Sequence, residues 1–172
     1  MSNLPSRTVA FTFPPIYDFP PFYTRQPTQS TWRDQLQQWD ALVRAYCQHH
    51  RIFQLDLSSA IQSNLFHNST IDRKVSQSMV REILDHMVDQ GHAEWLDDRR
   101  SAPTRCFIYW RNPEDWANVV YGWANENGQM NTVFTLYELV HDDLTIGTDF
   151  HGMDMALLKK AITLLSQTGK AQ

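Results

Sequence analysis

The chain has 172 residues, 42% of them hydrophobic and 12% aromatic, with a formal net charge of -4. That length makes one ordinary domain or two small ones of about 80 residues each, and the apolar content is too high for a disordered chain. The acidic balance excludes a basic nucleic-acid footprint at whole-chain level; no apolar run approaches the roughly 18 residues a membrane helix needs; and Cys47 and Cys106 make no disulfide framework.

The opening MSNLPSRTVA lacks the apolar centre of a signal peptide, which points to a cytosolic chain. Residues 1–29 are Pro-rich and read as an extended segment. Within it, FTFPPIYDFPPFYTRQP (11–27) carries Pro-Pro-x-Tyr twice, six positions apart. Proline fixes φ and removes a donor, so Pro-Pro favours polyproline II, which loses little entropy on docking. With three residues per turn, Pro14, Pro15 and Tyr17 project on the same side as Pro20, Pro21 and Tyr23, roughly 19 Å further along. The interleaved Phe11, Phe13, Phe19 and Phe22 are too apolar for a solvated tail. This geometry suits a ribbon lying in a partner's groove.

From Ser30 the texture becomes helical. Trp32, Leu36, Trp39, Leu42, Val43, Tyr46 and Cys47 recur at helix spacing, and Thr31 with Asp34 suggests a capping box. IFQLDL (52–57) alternates like a short strand. A short helix near Ser69–Lys74 and a longer one near Ser76–Gln90, stopped by Gly91, follow. HAEWL and RCFIYW then flank a polar tip as a β-hairpin. Helix, strand, helix, helix, hairpin is the order of a winged helix, over residues 30–111.

The second part, 112–172, repeats that order. Asn112-Pro113 with Glu114 and Asp115 is a helix start, TVF (132–134) reads as a strand, and Thr135-Leu-Tyr-Glu138 is a capping box. An acidic loop, HDDLTIGTDFHG, leads to an apolar helix from about Met153 to Thr168. LLSQTGKAQ echoes MVDQGHAEW of the first part, so duplication is the reading. The second copy is expected to lack its wing, because the chain stops at Gln172 where the first copy builds its hairpin. The expected fold is α+β and mainly helical, with two tandem winged helices behind an extended Pro-rich segment.

Little here suggests catalysis or metal. CQHH (47–50) points its thiol and imidazoles in different directions on a helix, and Cys47 lies on the apolar stripe. His141, Asp142, Asp143, Asp149 and His151 form an acidic loop before they form a site. No phosphate loop, nucleophile elbow or spaced carboxylate pair is present, so no enzyme and no cofactor is expected. Helix 76–90 sets Arg81 against Glu82, Asp85 and Asp89, the wrong balance for phosphate contacts. Arg99, Arg100 and Arg105 read as a solvated wing. Two alternatives stay open: a WW-domain ligand, since Pro-Pro-x-Tyr is also read by WW domains, and a winged-helix DNA-binding protein.

PPIYDFPPFYTRQP, EWL (94–96), FIYWRNPEDW (107–116), VFTLYEL (133–139) and DFHGM (149–153), taken in order, resemble the small-subunit family of ESCRT-II, the vacuolar protein sorting-associated protein 25 family, with the doubled motif similar to fungal members. The resemblance implies a non-catalytic adaptor of endosomal multivesicular-body sorting, cytoplasmic and recruited to endosomes through partners. Two copies of such a subunit join one copy each of two larger subunits. The implied docking residues are Pro14, Pro15, Tyr17, Phe19, Pro20, Pro21, Phe22 and Tyr23. The second winged helix is implied to recruit and help nucleate ESCRT-III, through Val133, Phe134, Thr135, Leu136 and Leu139 with Met155 and Leu158. Family members continue past the position of Gln172 with strands of the second wing.

Overall fold

A computed structural model describes residues 9–96 and 102–172. The hairpin tip with Arg99 and Arg100, and most of the leading MSNLPSRTVA, lie outside those residues.

Helix α1 (Gln29–His50) buries Trp32, Trp39, Leu42, Val43, Tyr46 and Cys47 along one face, as a repeat of three and four requires. It starts before the expected Thr31–Asp34 box. Thr28 is the N-cap and gives no side-chain bond, so Thr31 and Asp34 already lie inside the helix. Arg51 ends it in the left-handed region, at φ 52°.

Strand β1 (Gln54–Asp56) is three residues shorter than the expected 52–57, losing Ile52 and Phe53 at its start and Leu57 at its end. Asp56 Oδ1 accepts from the Ser59 amide at 3.1 Å, which caps helix α2 (Leu57–Gln62) and pulls Leu57 out of the strand. The helix expected at 69–74 is instead the turn and return of a small hairpin, β2 (His67–Asn68) with β3 (Arg73–Lys74). There Asn68 Oδ1 accepts from the Thr70 amide and Asp72 sits at φ 51°. Short polar side chains that bond their own backbone compete with helix in this way.

Helix α3 (Gln77–Asp89) starts at its Ser76 cap. It closes with the Gly91 amide on Val88 O at 3.0 Å and the His92 amide on Met87 O at 2.8 Å, with Gly91 at φ +77°. That pair of bonds is a Schellman closure.

Strands β4 (Ala93–Trp95) and β5 (Arg105–Ile108) join β1 in an antiparallel sheet of order β1-β5-β4, with Leu55 opposite Cys106 and Ala93 opposite Ile108. Because neighbouring strand residues face opposite ways, this sheet serves two cores. Leu55, Cys106, Ile108 and Ala93 face a first core built on α1 and α3. Phe53 and Phe107, with Tyr109 just past β5, face a second. The boundary expected at 111–112 therefore follows the chain and not the packing.

The second core rests on α4 (Pro113–Glu126) and α6 (Met155–Gln167), with Trp116, Phe150, Leu157 and Leu158 fully buried. Asn112 Oδ1 caps α4 by accepting from the Asp115 amide at 2.7 Å. The Thr135–Glu138 capping box opens α5 (Leu136–His141), as the sequence predicts. TVF forms no strand: residues 132–134 find no ladder partner and run unpaired into α5. The acidic loop holds a 3₁₀ turn, Asp143–Thr145. Helix α6 closes as α3 does, with the Gly169 amide on Ser166 O at 3.1 Å and the Lys170 amide on Leu165 O at 2.8 Å. The repeat heard in the sequence is thus present in the backbone.

Polar bonds rim the junction of the two units. Lys160 Nζ meets Glu94 Oε2 at 2.9 Å, Gln54 Nε2 donates to Asp154 Oδ2 at 2.9 Å, and Arg51 Nη2 donates to Asp149 O at 2.9 Å. Burial pushes the Glu94 carboxyl up. The bond from Tyr109 Oη, the bond from Lys160 and the Lys160 charge outweigh that, and leave it below the usual range.

Candidate functional site

Each Pro-Pro-x-Tyr motif forms a 3₁₀ turn, the second starting one position earlier in its motif than the first. Pro14 is extended, at φ −68° and ψ 157°, and Pro15 opens a 3₁₀ turn over Pro15–Asp18. Phe19 is extended again, and Pro20 opens a second turn over Pro20–Tyr23. A proline φ suits both polyproline II and the first position of a tight turn. Bonds from the Tyr17 amide to Pro14 O (2.9 Å) and from the Phe22 amide to Phe19 O (2.9 Å) close the turns.

This corrects the expected extended ribbon. The tyrosines are not two pocket-filling groups roughly 19 Å apart along polyproline II. Their ring centroids lie 6.0 Å apart, and Tyr23 Oη donates to Tyr17 O at 2.8 Å. The reason is tertiary: both rings, with Phe22, enter the chain's own first core.

Phe22 stacks on Trp39 at 4.1 Å with the rings 3° from parallel. Tyr23 meets Trp39 edge-on at 5.8 Å, and Phe13 stacks on Tyr17 at 3.8 Å. Polar bonds complete the clasp. Trp39 Nε1 and Gln35 Nε2 both donate to Phe22 O, at 3.1 and 2.8 Å. Asn68 Nδ2 donates to Tyr17 O at 3.0 Å, and Tyr17 Oη donates to Asn64 O. Arg25 pairs with Glu82 of α3 at 3.0 Å and lies over the Trp32 ring. Burial raises the Tyr17, Tyr23 and Tyr46 hydroxyls above the ordinary tyrosine value.

A buried aromatic ring contributes about 1.5–3 kcal/mol, while fixing each backbone residue costs about 1–2 kcal/mol. Three rings alone do not hold a segment of this length. The prolines, already fixed in φ, lower the entropic cost, and the satisfied carbonyls prevent a desolvation penalty.

The eight expected docking residues therefore divide. Tyr17, Phe22 and Tyr23 are 7%, 3% and 3% exposed and are closed to a partner while the clasp holds. Phe19 is 53% exposed, and Pro15, Pro20 and Pro21 are exposed around it; Pro14 is half-buried. Gln35 and Asn68, both buried, are site residues that sequence reading missed. Gln35 carried a usable signal. It lies three residues after Trp32 and four before Trp39, so it shares their buried face, where a polar side chain must serve some backbone group.

The second expected set also divides. Leu158 is fully buried and Leu139 is 7% exposed, because both pack the second core. Val133 is 95% exposed, Met155 is exposed, and Thr135 is spent on its capping box. Val133, Phe134 and Leu139 line one open groove with Val120, Trp123, Ile162 and Leu165. Leu136, Met155 and Leu158 do not line it.

Among the described residues no group of three or more His, Cys, Asp or Glu side chains could hold a metal ion. Cys47 is fully buried, while His49 and His50 are exposed and pack against Phe11. Burial raises the Cys47 thiol well above its ordinary value and pushes that of Cys106 up to about 12. In the acidic loop, Asp142 caps the 3₁₀ turn, Asp149 pairs with Arg111 at 3.0 Å, and His151 Nδ1 meets Thr145 Oγ1 at 2.8 Å. No described helix is long and apolar enough to cross a membrane.

A family model described as ESCRT-II complex subunit matches residues 16–154. Vacuolar protein-sorting-associated protein 25 of Danio rerio is 40% identical over 95% of this chain and 92% of its own length. The human protein of that name is 38% identical over the same shares, and that of Dictyostelium discoideum 34% over 94% and 90%. Among solved structures, subunit VPS25 of the endosomal trafficking complex ESCRT-II superposes with a TM-score of 0.82 at 35% identity, covering 91% of this chain and 89% of that one. A chain of the ESCRT-II complex VPS22/VPS25/VPS36 does so at 0.83 and 34%, covering 92% and 91%. With the tandem winged-helix architecture matched along nearly its whole length, the chain belongs to the family of ESCRT-II complex subunits, alongside the vacuolar protein-sorting-associated proteins 25.

Proposed function

We propose that this chain is a non-catalytic assembly subunit of ESCRT-II in the endosomal multivesicular-body sorting of ubiquitinated membrane cargo. Its N-terminal segment docks on the two larger ESCRT-II subunits. The observation that carries this reading is Phe19: a large apolar ring standing 53% exposed between two turns whose neighbours are locked into the core. A rigid, solvent-facing aromatic flanked by Pro15, Pro20 and Pro21 has the form of an interface anchor, because it loses little entropy on burial. The clasped tyrosines hold that knob in place and do not touch the partner.

The second unit serves the next partner. Its groove, with Val133 and Phe134 on the rim, is the apolar surface we assign to the ESCRT-III subunit that this family recruits. Membrane contact is then indirect, and a second copy of the chain occupies an equivalent place in the assembly. No nucleic acid takes part.

Reconstitution with the two larger subunits, measured by the mass of the purified particle, tests the docking. Phe19→Ser abolishes co-purification and leaves the far-ultraviolet circular dichroism of the chain unchanged. Assembly that survives Phe19→Ser with unchanged affinity removes the knob from the interface.

A further inference from the structure

Pro-Pro-x-Tyr is also the sequence read by WW domains, which take a polyproline II backbone and an exposed tyrosine ring into an aromatic groove. The folded chain offers neither at either copy. Pro14-Pro15 leads into a 3₁₀ turn, Pro20-Pro21 lies within one, and both tyrosines are buried. The Tyr17 ring is covered by Phe13 at 3.8 Å and the Tyr23 ring by Trp39 at 5.8 Å. The carbonyls of Tyr17 and Phe22, which an extended ligand would present, accept from Asn68 and from Gln35 and Trp39.

We propose that the two motifs are cryptic WW ligands, masked by the first winged helix and exposed together when the clasp opens. Opening is one event, because Tyr23 Oη bonds Tyr17 O and the two turns share Phe19 as the cap between them. Opening also dismantles the Phe19 knob, so WW capture and docking through that knob exclude each other. Masking weakens apparent affinity by the open fraction: a clasp open in about one molecule in a hundred binds about a hundredfold more weakly than a free peptide. This inference concerns the free chain and stands or falls separately from the assembly reading.

The variable positions of the motifs make the test clean. Phe22 is the x of the second motif and Phe13 precedes the first, so Phe13→Ala with Phe22→Ala removes two stacking rings and keeps every proline and tyrosine. A second variant, Gln35→Ala with Asn68→Ala, leaves the sequence of residues 11–27 unchanged and removes the side-chain bonds from Gln35 to Phe22 O and Thr24 O and from Asn68 to Tyr17 O and Asp18. The probe is a purified WW domain of the Pro-Pro-x-Tyr-binding class, titrated calorimetrically into each full-length chain and into a synthetic peptide of residues 11–27. Circular dichroism and amide exchange in α3 report the fold, and amide exchange at Tyr17 reports the clasp.

The peptide is expected to bind, the wild-type chain to bind at least about tenfold more weakly, and both variants to recover most of the difference. Replacing Tyr17 and Tyr23 by Ala in an opened variant abolishes the recovered binding. The proposal is overturned by a wild-type chain that binds as tightly as the peptide. It is equally overturned by variants whose Tyr17 amide exchanges freely and which still do not bind.

Discussion

The first winged helix and its repeat share helical scaffolding and differ in what covers it. Helices α3 and α6 are capped by Ser76 and Asp154 and close on Gly91 and Gly169 with matching hydrogen bonds. Beyond those ends the units part. In the first, β4 and β5 lie against α3, and the N-terminal aromatics seal the α1 face at Trp39. In the second, the space between α4, α6 and residues 129–134 is a groove, with Val133 in solvent. Equal scaffolds thus give one closed surface bearing a projecting knob and one open surface. On the proposed reading, the knob and the groove serve two partners of different shape.

The central tryptophans offer the strongest means to break that contrast. Trp39 and Trp116 are both fully buried, so replacing either with Ala costs about 3–5 kcal/mol in denaturant unfolding. Phenylalanine separates them. Trp39 Nε1 serves the clasp by donating to Phe22 O, whereas Trp116 Nε1 has no hydrogen-bond partner among the described residues and the Arg111 guanidinium lies over its ring at 4.4 Å. Trp39→Phe is expected to cost about 1 kcal/mol more than Trp116→Phe. Equal costs mean that the clasp adds nothing to the first unit.

Tyr23→Phe removes the buried bond to Tyr17 O and lowers stability by about 1 kcal/mol, with faster amide exchange at Tyr17 as its local signature. The same measurement on Tyr137→Phe, an exposed residue of α5 in the second unit, gives a change within about 0.5 kcal/mol.

The junction yields the smallest effect. The folded pKa of Glu94 is depressed below its ordinary value near 4.5. Its contribution is therefore present above that value and is lost as pH falls through the folded one. The Glu94 and Lys160 side chains are both partly exposed, 46% and 38%, so the pair contributes no more than about 1 kcal/mol. Lys160→Ala is expected to lose that increment at neutral pH and to show a flatter loss of stability below pH 4.5. A parallel acid limb for both proteins removes the pair from the account.

What the sequence made legible was local. Asn112-Pro113, the Thr135–Glu138 box and the Gly91 stop each satisfy orphan backbone groups within one turn, and each stands where the pattern places it. The tandem order of winged helices followed from them. The errors share a cause, which is that a distant or rival partner decided the conformation. IFQLDL is apolar enough to extend to Leu57, but the Asp56 carboxylate starts a helix there. TVF has strand composition and no neighbouring strand among the described residues. The proline segment has the composition of an open ribbon, yet Trp39, Gln35 and Asn68, up to 51 positions away, fold it back. Tyr17 and Tyr23, expected to grip a partner's groove, pack into the chain's own first core.

Residue-resolved amide exchange of the full-length free chain tests that central claim most directly. The amides of Tyr17 and Phe22, bonded to Pro14 O and Phe19 O, are expected to be protected from exchange with a free energy approaching that of Trp39 and Leu42 in α1. Exchange of those two amides at the rate of an unstructured peptide, in a chain whose α1 stays protected, would contradict it.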